Sequence, residues 1–229
     1  MKRLIDILSK KNNIALEQQE LVDMLTRYTS PIETKEYLGD LLSKGELNLS
    51  GYEHQLGFYK FIIADIDGMY PRRLRLHFWR RGQIEKDIHD HIASFASMVL
   101  QRTLTSTKFS ISDLGNEYYR QNFVAVGDSC EPSTESEQTI KLIPNSKSII
   151  KAGETYHLNF NELHCAEPLS ICTISLILQD SPVDRNIQVY RASQSTNEVI
   201  SSSRTLYFDE KRRVLEEMHF QLGEKNVDE

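Results

Sequence analysis

Two histidines with strand-like spacing are the residues of this sequence best suited to chemistry. His89 and His91 lie two positions apart in DIHDHIASFASMVLQ, residues 87–101, where the chain becomes β-patterned and hydrophobic. Side chains at positions i and i+2 of a strand point to the same side, so the two imidazoles would lie close together. Neutral imidazole is a ligand for Fe, Zn, Cu or Ni. The pair indicates part of a metal site, but two histidines alone are a weak indication.

A third histidine follows some seventy residues later, in KAGETYHLNFNELHCAEP, residues 151–168. Gly153 opens a β-patterned run, residues 159–161 are typical of a tight turn, and His164 stands where the next strand would begin. His164 therefore has the same kind of position as the histidine pair, at the start of a β-patterned run.

The elements that must position these histidines are mostly short strands. Between about residues 58 and 208, ten runs rich in β-branched, aromatic or alternating residues are separated by turn clusters, which favours an all-β barrel or sandwich. The first fifty residues have helical periodicity instead, and Ser30, Pro31, Glu33 and Gly45 are end signals for a helix over residues 30–45. The predicted divisions are a helical extension (1–52), a barrel (53–208) and a short C-terminal helix with a tail (209–229).

Several other segments have plainer interpretations. The polar stretch GDSCEPSTESEQ, residues 127–138, is typical of a solvated loop. The run RRLRLHFWRR, residues 72–81, is typical of a strand with one solvated face, from which Arg75 could reach the mouth of a cavity. We expect Phe95 and Met98 to be core residues and His157 to lie on the surface. The remaining histidines are interpreted as structural: His54, His77 and His219.

Composition excludes some classes of protein. The chain has 229 residues and a formal charge of −6, with acidic and basic residues intermingled, so we expect no nucleic-acid partner. The start of the sequence lacks the hydrophobic stretch of a secretory signal, and no run approaches the roughly 20 apolar residues of a membrane span. The three cysteines lack CxxC spacing. Together these features predict a soluble, cytoplasmic protein.

The two histidine segments resemble the two motifs of the cupin superfamily. HDH followed by a hydrophobic strand is similar to the first motif, and the Gly153 strand, turn and His164 are similar to the second. The resemblance covers about residues 58–190. It implies a mainly β fold, the cupin (double-stranded β-helix, or jelly-roll) barrel, with the three histidines converging on a metal inside it.

One departure from the first motif refines this resemblance. The motif's glutamate would fall five residues after His91, where the sequence has Ala96. A cupin site with three histidines and no carboxylate resembles the cysteine dioxygenase-like group, which implies Fe(II), with Zn, Ni and Mn as alternatives. That group's Ser-His-Tyr set would fall near Ser175, Ile177 and Gln179, so its catalytic residues are not reproduced and cysteine is only one candidate substrate.

The resemblance implies a non-heme Fe(II) dioxygenase that acts on a small anionic substrate, a thiol, amino acid or other carboxylate, with dioxygen and without 2-oxoglutarate. Lys60, Arg75 and Tyr156 are the candidate substrate-binding residues. Two alternatives stay open: a regulatory cupin that binds metal or ligand without catalysis, and a metal-dependent isomerase or lyase. If the protein forms an oligomer, we expect a homodimer.

Overall fold

A computed structural model describes residues 1–45, 47–54, 56–80, 87–126, 129–134, 136–169, 171–193 and 203–224. Its helices are α1 (Lys2–Lys10), α2 (Gln18–Tyr28), α3 (Pro31–Lys44) and α4 (Phe208–Gln221). Its strands are β1 (Gly51–His54), β2 (Phe58–Ile66), β3 (Arg72–Trp79), β4 (Ile88–His89), β5 (Phe95–Gln101), β6 (Thr103–Val126), β7 (Ser129–Pro132), β8 (Gln138–Lys151), β9 (Thr155–Leu158), β10 (Leu163–Pro168), β11 (Thr173–Gln179), β12 (Ile187–Arg191) and β13 (Arg204–Thr205).

The strands form two sheets that enclose a cavity. The first has seven strands in the order β13-β1-β2-β3-β11-β5-β9. The second has six strands: β10-β4-β12-β6-β7, with β8 paired to the long strand β6, which also pairs with β10. Each strand pairing within the described residues is antiparallel. The fold is thus mainly β with N-terminal helices, as the sequence predicts.

The largest hydrophobic cluster lies outside the barrel, between the seven-stranded sheet and the helices. On β3 the residues that enter it alternate, namely Leu74, Leu76 and Phe78, and all of them are fully buried. Neighbouring strands contribute in the same way, through residues such as Met98 and Leu176. The helices complete the cluster with Leu4, Leu8, Leu21, Leu25, Leu38, Leu215 and Met218. Because each strand alternates its side chains, the opposite face of this sheet is directed into the barrel.

Inside the barrel the apolar residues form smaller clusters. Phe58, Trp79 and Val99 belong to one, and Phe95, Leu158 and Ile177 belong to another. The remaining inward positions are largely polar, and they surround the cavity described below. The barrel interior is therefore a lined chamber, and most of the hydrophobic burial occurs beneath the helices.

The helix predicted over residues 30–45 is confirmed as α3. The Ser30 hydroxyl oxygen accepts a hydrogen bond from the Glu33 amide at 3.2 Å, and Pro31 occupies the first turn. Gly45 ends the helix with φ of +65°, a left-handed conformation that glycine adopts without steric cost. The C-terminal helix is confirmed as α4, with Val214, Leu215 and Met218 buried.

Three strands agree with the predicted runs residue for residue, namely β2, β5 and β11. Two predicted strands, residues 139–144 and 148–152, belong to one continuous strand, β8, which pairs with β6 between Thr103 and Arg120. The predicted loop 127–138 is wrong over its described centre, since Ser129–Pro132 forms β7 and pairs with the end of β6. Residues 127, 128 and 135 of that segment lie outside the described residues.

None of the helices in the described ranges is both long and apolar enough to cross a membrane. The predicted divisions at residues 52 and 208 stay a prediction. The N-terminal helices, the seven-stranded sheet and α4 all contribute residues to one hydrophobic cluster, so the cluster includes residues on both sides of each division.

Candidate metal centre and its cavity

The three predicted histidines come together between β4 and β10. His89 is the last residue of β4, and His164 is directly opposite it in the antiparallel pair of β4 with β10. His91 follows two positions after His89, and its backbone amide donates to the Phe160 carbonyl at 2.9 Å. One potential ligand atom from each histidine lies within 4.8 Å of the others. Among the described residues no carboxylate joins this cluster.

The spacing of the ring nitrogens suits a shared ion. Nε2 of His91 and Nε2 of His164 are 2.9 Å apart. Two nitrogens bound at about 2.0–2.1 Å to one ion at a right angle would be separated by about 3 Å. Nδ1 of His89 lies 3.2 Å from the Asp87 carbonyl oxygen, so an Nδ1–H there donates to it and Nε2 would be the ligand atom. The three side chains could therefore hold a metal ion through imidazole nitrogens.

Burial keeps these imidazoles neutral. Desolvation lowers the pKa of His89 to about 4, against a weaker opposing effect from the Asp87 carbonyl. Burial likewise lowers the pKa of His91 and His164 well below the ordinary value, and the neighbouring histidines lower it further. A neutral ring offers its nitrogen lone pair at pH 7, which is the form a metal requires.

Asp90, the residue between the two paired histidines, fixes the segment to β12. Its carboxylate accepts from the Gln188 amide at 2.6 Å and forms an ion pair with Arg185. Its own amide donates to the Gln188 carbonyl at 3.1 Å. Asp90 is only 2% exposed, and this burial raises its pKa to about 6 despite the nearby guanidinium. The carboxylate thus ties the histidine pair to the six-stranded sheet.

The position expected to hold a glutamate does not face the histidines. Ala96 is fully buried and belongs to the cluster beneath the helices. The β5 residue beside the site is Phe95, whose ring centroid is 4.9 Å from that of His91 and 6.3 Å from that of His164. Phe95 is buried as predicted, but it also forms part of the cavity wall. An apolar ring thus occupies the side of the site from which a carboxylate could have approached.

All three predicted substrate-binding residues line the same cavity as the histidines. The cavity has a volume of about 150 Å³, and its walls include Lys60, Arg75 and Tyr156. Lys60 is 6% exposed, with its ammonium 5.1 Å from the centre of the Tyr52 ring. Burial and the neighbouring Arg73 lower the pKa of Arg75 to about 10, so its guanidinium remains charged at pH 7. The cavity therefore presents cations opposite the histidine cluster.

The sequence prediction of a solvated face on β3 is wrong. Residues Leu74, Leu76 and Phe78 pack beneath the helices, and the alternating polar residues line the cavity instead. The reason is the helical layer, which covers the face that would otherwise be the outside of the barrel. His77, interpreted as structural, is one of these cavity residues, and so is His54 at the end of β1.

Sequence reasoning therefore missed much of the cavity wall. The additional polar or reactive residues are His54, Arg73, His77, Cys130 and Gln179. The alternation of β3 was visible, but nothing local indicated that both faces are covered. Cys130 was missed because its segment was interpreted as a loop. His157, by contrast, is exposed on β9 as predicted.

No known protein family and no curated protein matches the chain by sequence. Among solved structures, protein SO0799 from Shewanella oneidensis is 12% identical, over 64% of this chain and 78% of that one, with a TM-score of 0.34. A chain from the crystal structures of the DMSP lyases RdDddP and RnDddQII is 16% identical, over 83% and 77%, with a TM-score of 0.33. A chain from the crystal structure of Drosophila melanogaster CENP-C bound to CAL1 is 14% identical, over 66% of this chain and 98% of that one, with a TM-score of 0.33. At these low scores we draw no conclusion about activity or substrate.

Proposed function

We propose that this protein is a metal-binding cupin that holds Fe(II) on His89, His91 and His164 and oxygenates a small anionic substrate without 2-oxoglutarate. The observation that carries the proposal is the cluster of three neutral imidazoles in a cation-lined cavity. Zn, Ni and Mn are the alternative metals, since imidazole does not by itself distinguish among them.

The charges of the site support an anionic substrate. Three neutral ligands leave the double charge of a divalent metal uncompensated, so an anionic thiolate, carboxylate or enolate would complete the coordination favourably. Lys60 and Arg75 add positive charge on the facing wall. Of the cavity-lining residues that the structure describes, only Asp90 has a carboxylate, and Arg185 already pairs with it.

The residues that line the cavity would have different roles in the reaction. The histidines would hold the metal, which supplies the binding and activation of dioxygen once Fe(II) is in place. Arg75 and Lys60 would orient the anionic substrate, with Tyr156 beside them as a further contact. Phe95 would shield one side of the centre from water, which strengthens the electrostatic interactions inside it.

Metal content is the first test. We expect the wild-type protein, purified without chelator, to bind one equivalent of metal and His91→Ala and His164→Ala to lose it, because each variant removes one of three ligands. His157→Ala is the matched control, since that histidine is exposed on a neighbouring strand. Stoichiometric metal in folded His91→Ala would reject the assignment.

Oxygen uptake is the second test. Anaerobically reconstituted Fe(II) protein would be screened with thiols, amino acids and other carboxylates in an oxygen electrode, with His89→Ala as the blank. We expect substrate-dependent uptake that the blank lacks. Conversion under argon would instead favour an isomerase or lyase, and binding without turnover would favour a regulatory cupin. A homodimer, a cytoplasmic location and the absence of nucleic-acid and membrane partners remain predictions.

A further inference from the structure

The cavity-facing side of β3 carries a row of nitrogen atoms that lack a partner within the described residues. They are Nε of Arg75, Nε2 of His77 and Nε1 of Trp79, at positions i, i+2 and i+4 of one strand face. His77 is 8% exposed and Trp79 is 2% exposed, so solvent access to both is small. All three residues line the cavity that contains the histidine cluster. We call this row the β3 wall.

The β3 wall presents hydrogen-bond donors. An arginine Nε and an indole Nε1 carry hydrogens that can only be donated, and the histidine nitrogen donates in one of its two tautomers. A buried donor without an acceptor costs free energy, so such groups in native proteins usually have a partner in the functional state. The partner must therefore offer acceptor oxygens.

The rings of the β3 wall are held in place before any ligand arrives. The His77 ring stacks on Phe58 at a centroid distance of 4.4 Å and meets the Trp79 ring edge-on at 5.6 Å. Phe58 in turn packs 5.0 Å from Trp79. Because these side chains are fixed by packing, little conformational entropy would be lost on binding, which favours specific recognition.

Within the described lining of the cavity, the only carboxylate is already bonded to groups outside the β3 wall. Asp90 is the acidic residue there, and both of its carboxylate oxygens are engaged by Arg185 and the Gln188 amide. The wall and the histidine cluster thus lie in one cavity, and each calls for an anionic or acceptor group from the ligand.

We propose that the β3 wall is a second binding subsite, specific for the carboxylate at the far end of a two-ended ligand. The near end, a second carboxylate or another anionic oxygen, reaches the three histidines, and in that respect the inference rests on the proposed function. The ligand class is a short dicarboxylate. Trp79 and His77, for which no local pattern suggested a role in binding, are then specificity-determining residues beside Arg75.

The single tryptophan of the chain makes this testable, because Trp79 fluorescence reports on the β3 wall without interference. Zn(II)-loaded protein would be titrated with malonate, succinate and glutarate, and with acetate and butyrate as one-ended controls. We expect one dicarboxylate to change the Trp79 emission and to bind at least about 10-fold more tightly than the monocarboxylates, since it gains a charge-assisted contact.

Two variants locate the contact. Trp79→Phe keeps a ring and removes the N–H, and we expect calorimetry to show roughly 5-fold to 10-fold weaker dicarboxylate binding with acetate binding unchanged. His77→Gln should act similarly, whereas His157→Gln on the exposed surface should have no effect. Circular dichroism would verify that each variant is folded, and Trp79→Phe is informative even if His77→Gln does not fold.

The outcomes separate this inference from the proposed function. Equal affinity for mono- and dicarboxylates, with no change in either variant, would mean that only water meets the β3 wall, and would overturn the inference while the metal site stands. If the chain takes up no metal but carboxylates still change Trp79 emission in a way that Arg75→Met abolishes, the proposed function fails and the subsite is supported.

Discussion

The outer face of the seven-stranded sheet lies beneath helices, whereas strands of the six-stranded sheet carry exposed apolar side chains such as Ile111, Ile143 and Ile149. Both sheets alternate side chains with a period of two, but the covered sheet directs its apolar face outward, toward the helices. Its inner face is thereby free to carry Lys60 and Arg75 into the barrel. The helical layer thus supplies hydrophobic burial that the polar chamber does not.

The two sheets also contribute differently to the site. The six-stranded sheet supplies His89 and His164 from paired strands, held by backbone register and by Asp90. The seven-stranded sheet supplies the charged and hydrogen-bonding wall opposite them. This division predicts that damage to the helix-facing side affects stability first, and that damage around Asp90 affects the metal site as well.

The largest effect is expected from emptying the helix-facing cluster. Leu76→Ala on β3 should lower the free energy of unfolding by about 2–5 kcal/mol, because it leaves a cavity at a fully buried position. Ile149→Ala on β8 is the control, since that side chain is 60% exposed and its loss should cost less than about 0.5 kcal/mol. Urea unfolding measures both. Equal losses would refute the contrast between the sheets.

A smaller effect is expected at the ion pair behind the histidines. Asp90→Asn should destabilise the protein by about 1–3 kcal/mol, because it leaves Arg185 without its buried partner. Metal affinity should fall by roughly 10-fold, since Asp90 fixes the backbone of the histidine pair. Asp65→Asn is the matched control on the other sheet, where the ion pair with Arg73 is exposed and contributes less than about 1 kcal/mol. Unchanged metal affinity in Asp90→Asn would contradict the positioning role.

The buried histidines make the stability of the metal-free protein depend on pH. Burial lowers the pKa of His77 well below 6.5, so between that value and its folded pKa the unfolded chain binds more protons than the folded one. Its contribution is complete above pH 6.5 and is lost as the pH falls. The His77→Gln variant lacks this titrating group. Its free energy of unfolding should therefore vary less steeply with pH, by up to about 1.4 kcal/mol per pH unit between pH 6.5 and 5.

Asp90 acts in the opposite direction over part of this range. Its raised pKa, about 6, means that the folded state binds more protons than the unfolded chain between the ordinary carboxyl value and pH 6. Chemical unfolding at several pH values, with His157→Gln as the control for an exposed histidine, gives the slopes. A wild-type stability that rises on acidification from pH 6.5 to 5 would contradict the assignment of the histidines as neutral.

The smallest effect is expected at the start of α3, in the helical layer. Ser30→Ala removes the acceptor for the Glu33 amide and should cost about 1 kcal/mol, with metal content unchanged because the cap is remote from the cavity. Thermal unfolding and metal analysis would be measured together. A change in metal content would mean that the helical layer and the site are coupled more tightly than the separate clusters indicate.

Local patterns in the sequence determined most of the elements. The spacing of His89 and His91, the turn before His164, the end signals of α3 and the runs that became β2, β5 and β11 each depend on a few neighbouring residues. Such signals are readable because strand alternation, helix capping and turn geometry are set by the chain within a few positions.

Only the tertiary structure decided which face of each element points where. The alternation of β3 is the same whether its polar side meets solvent or a cavity, and the N-terminal helices together with α4 resolve that choice by covering Leu74, Leu76 and Phe78. Because the helices cover this face of the sheet, Ala96 packs against them and its neighbour Phe95 contacts the histidines. For the same reason His77 and Trp79 lie on the cavity side, in the β3 wall. The physical reason is that burial of one face depends on residues far away in sequence, which no local period can specify.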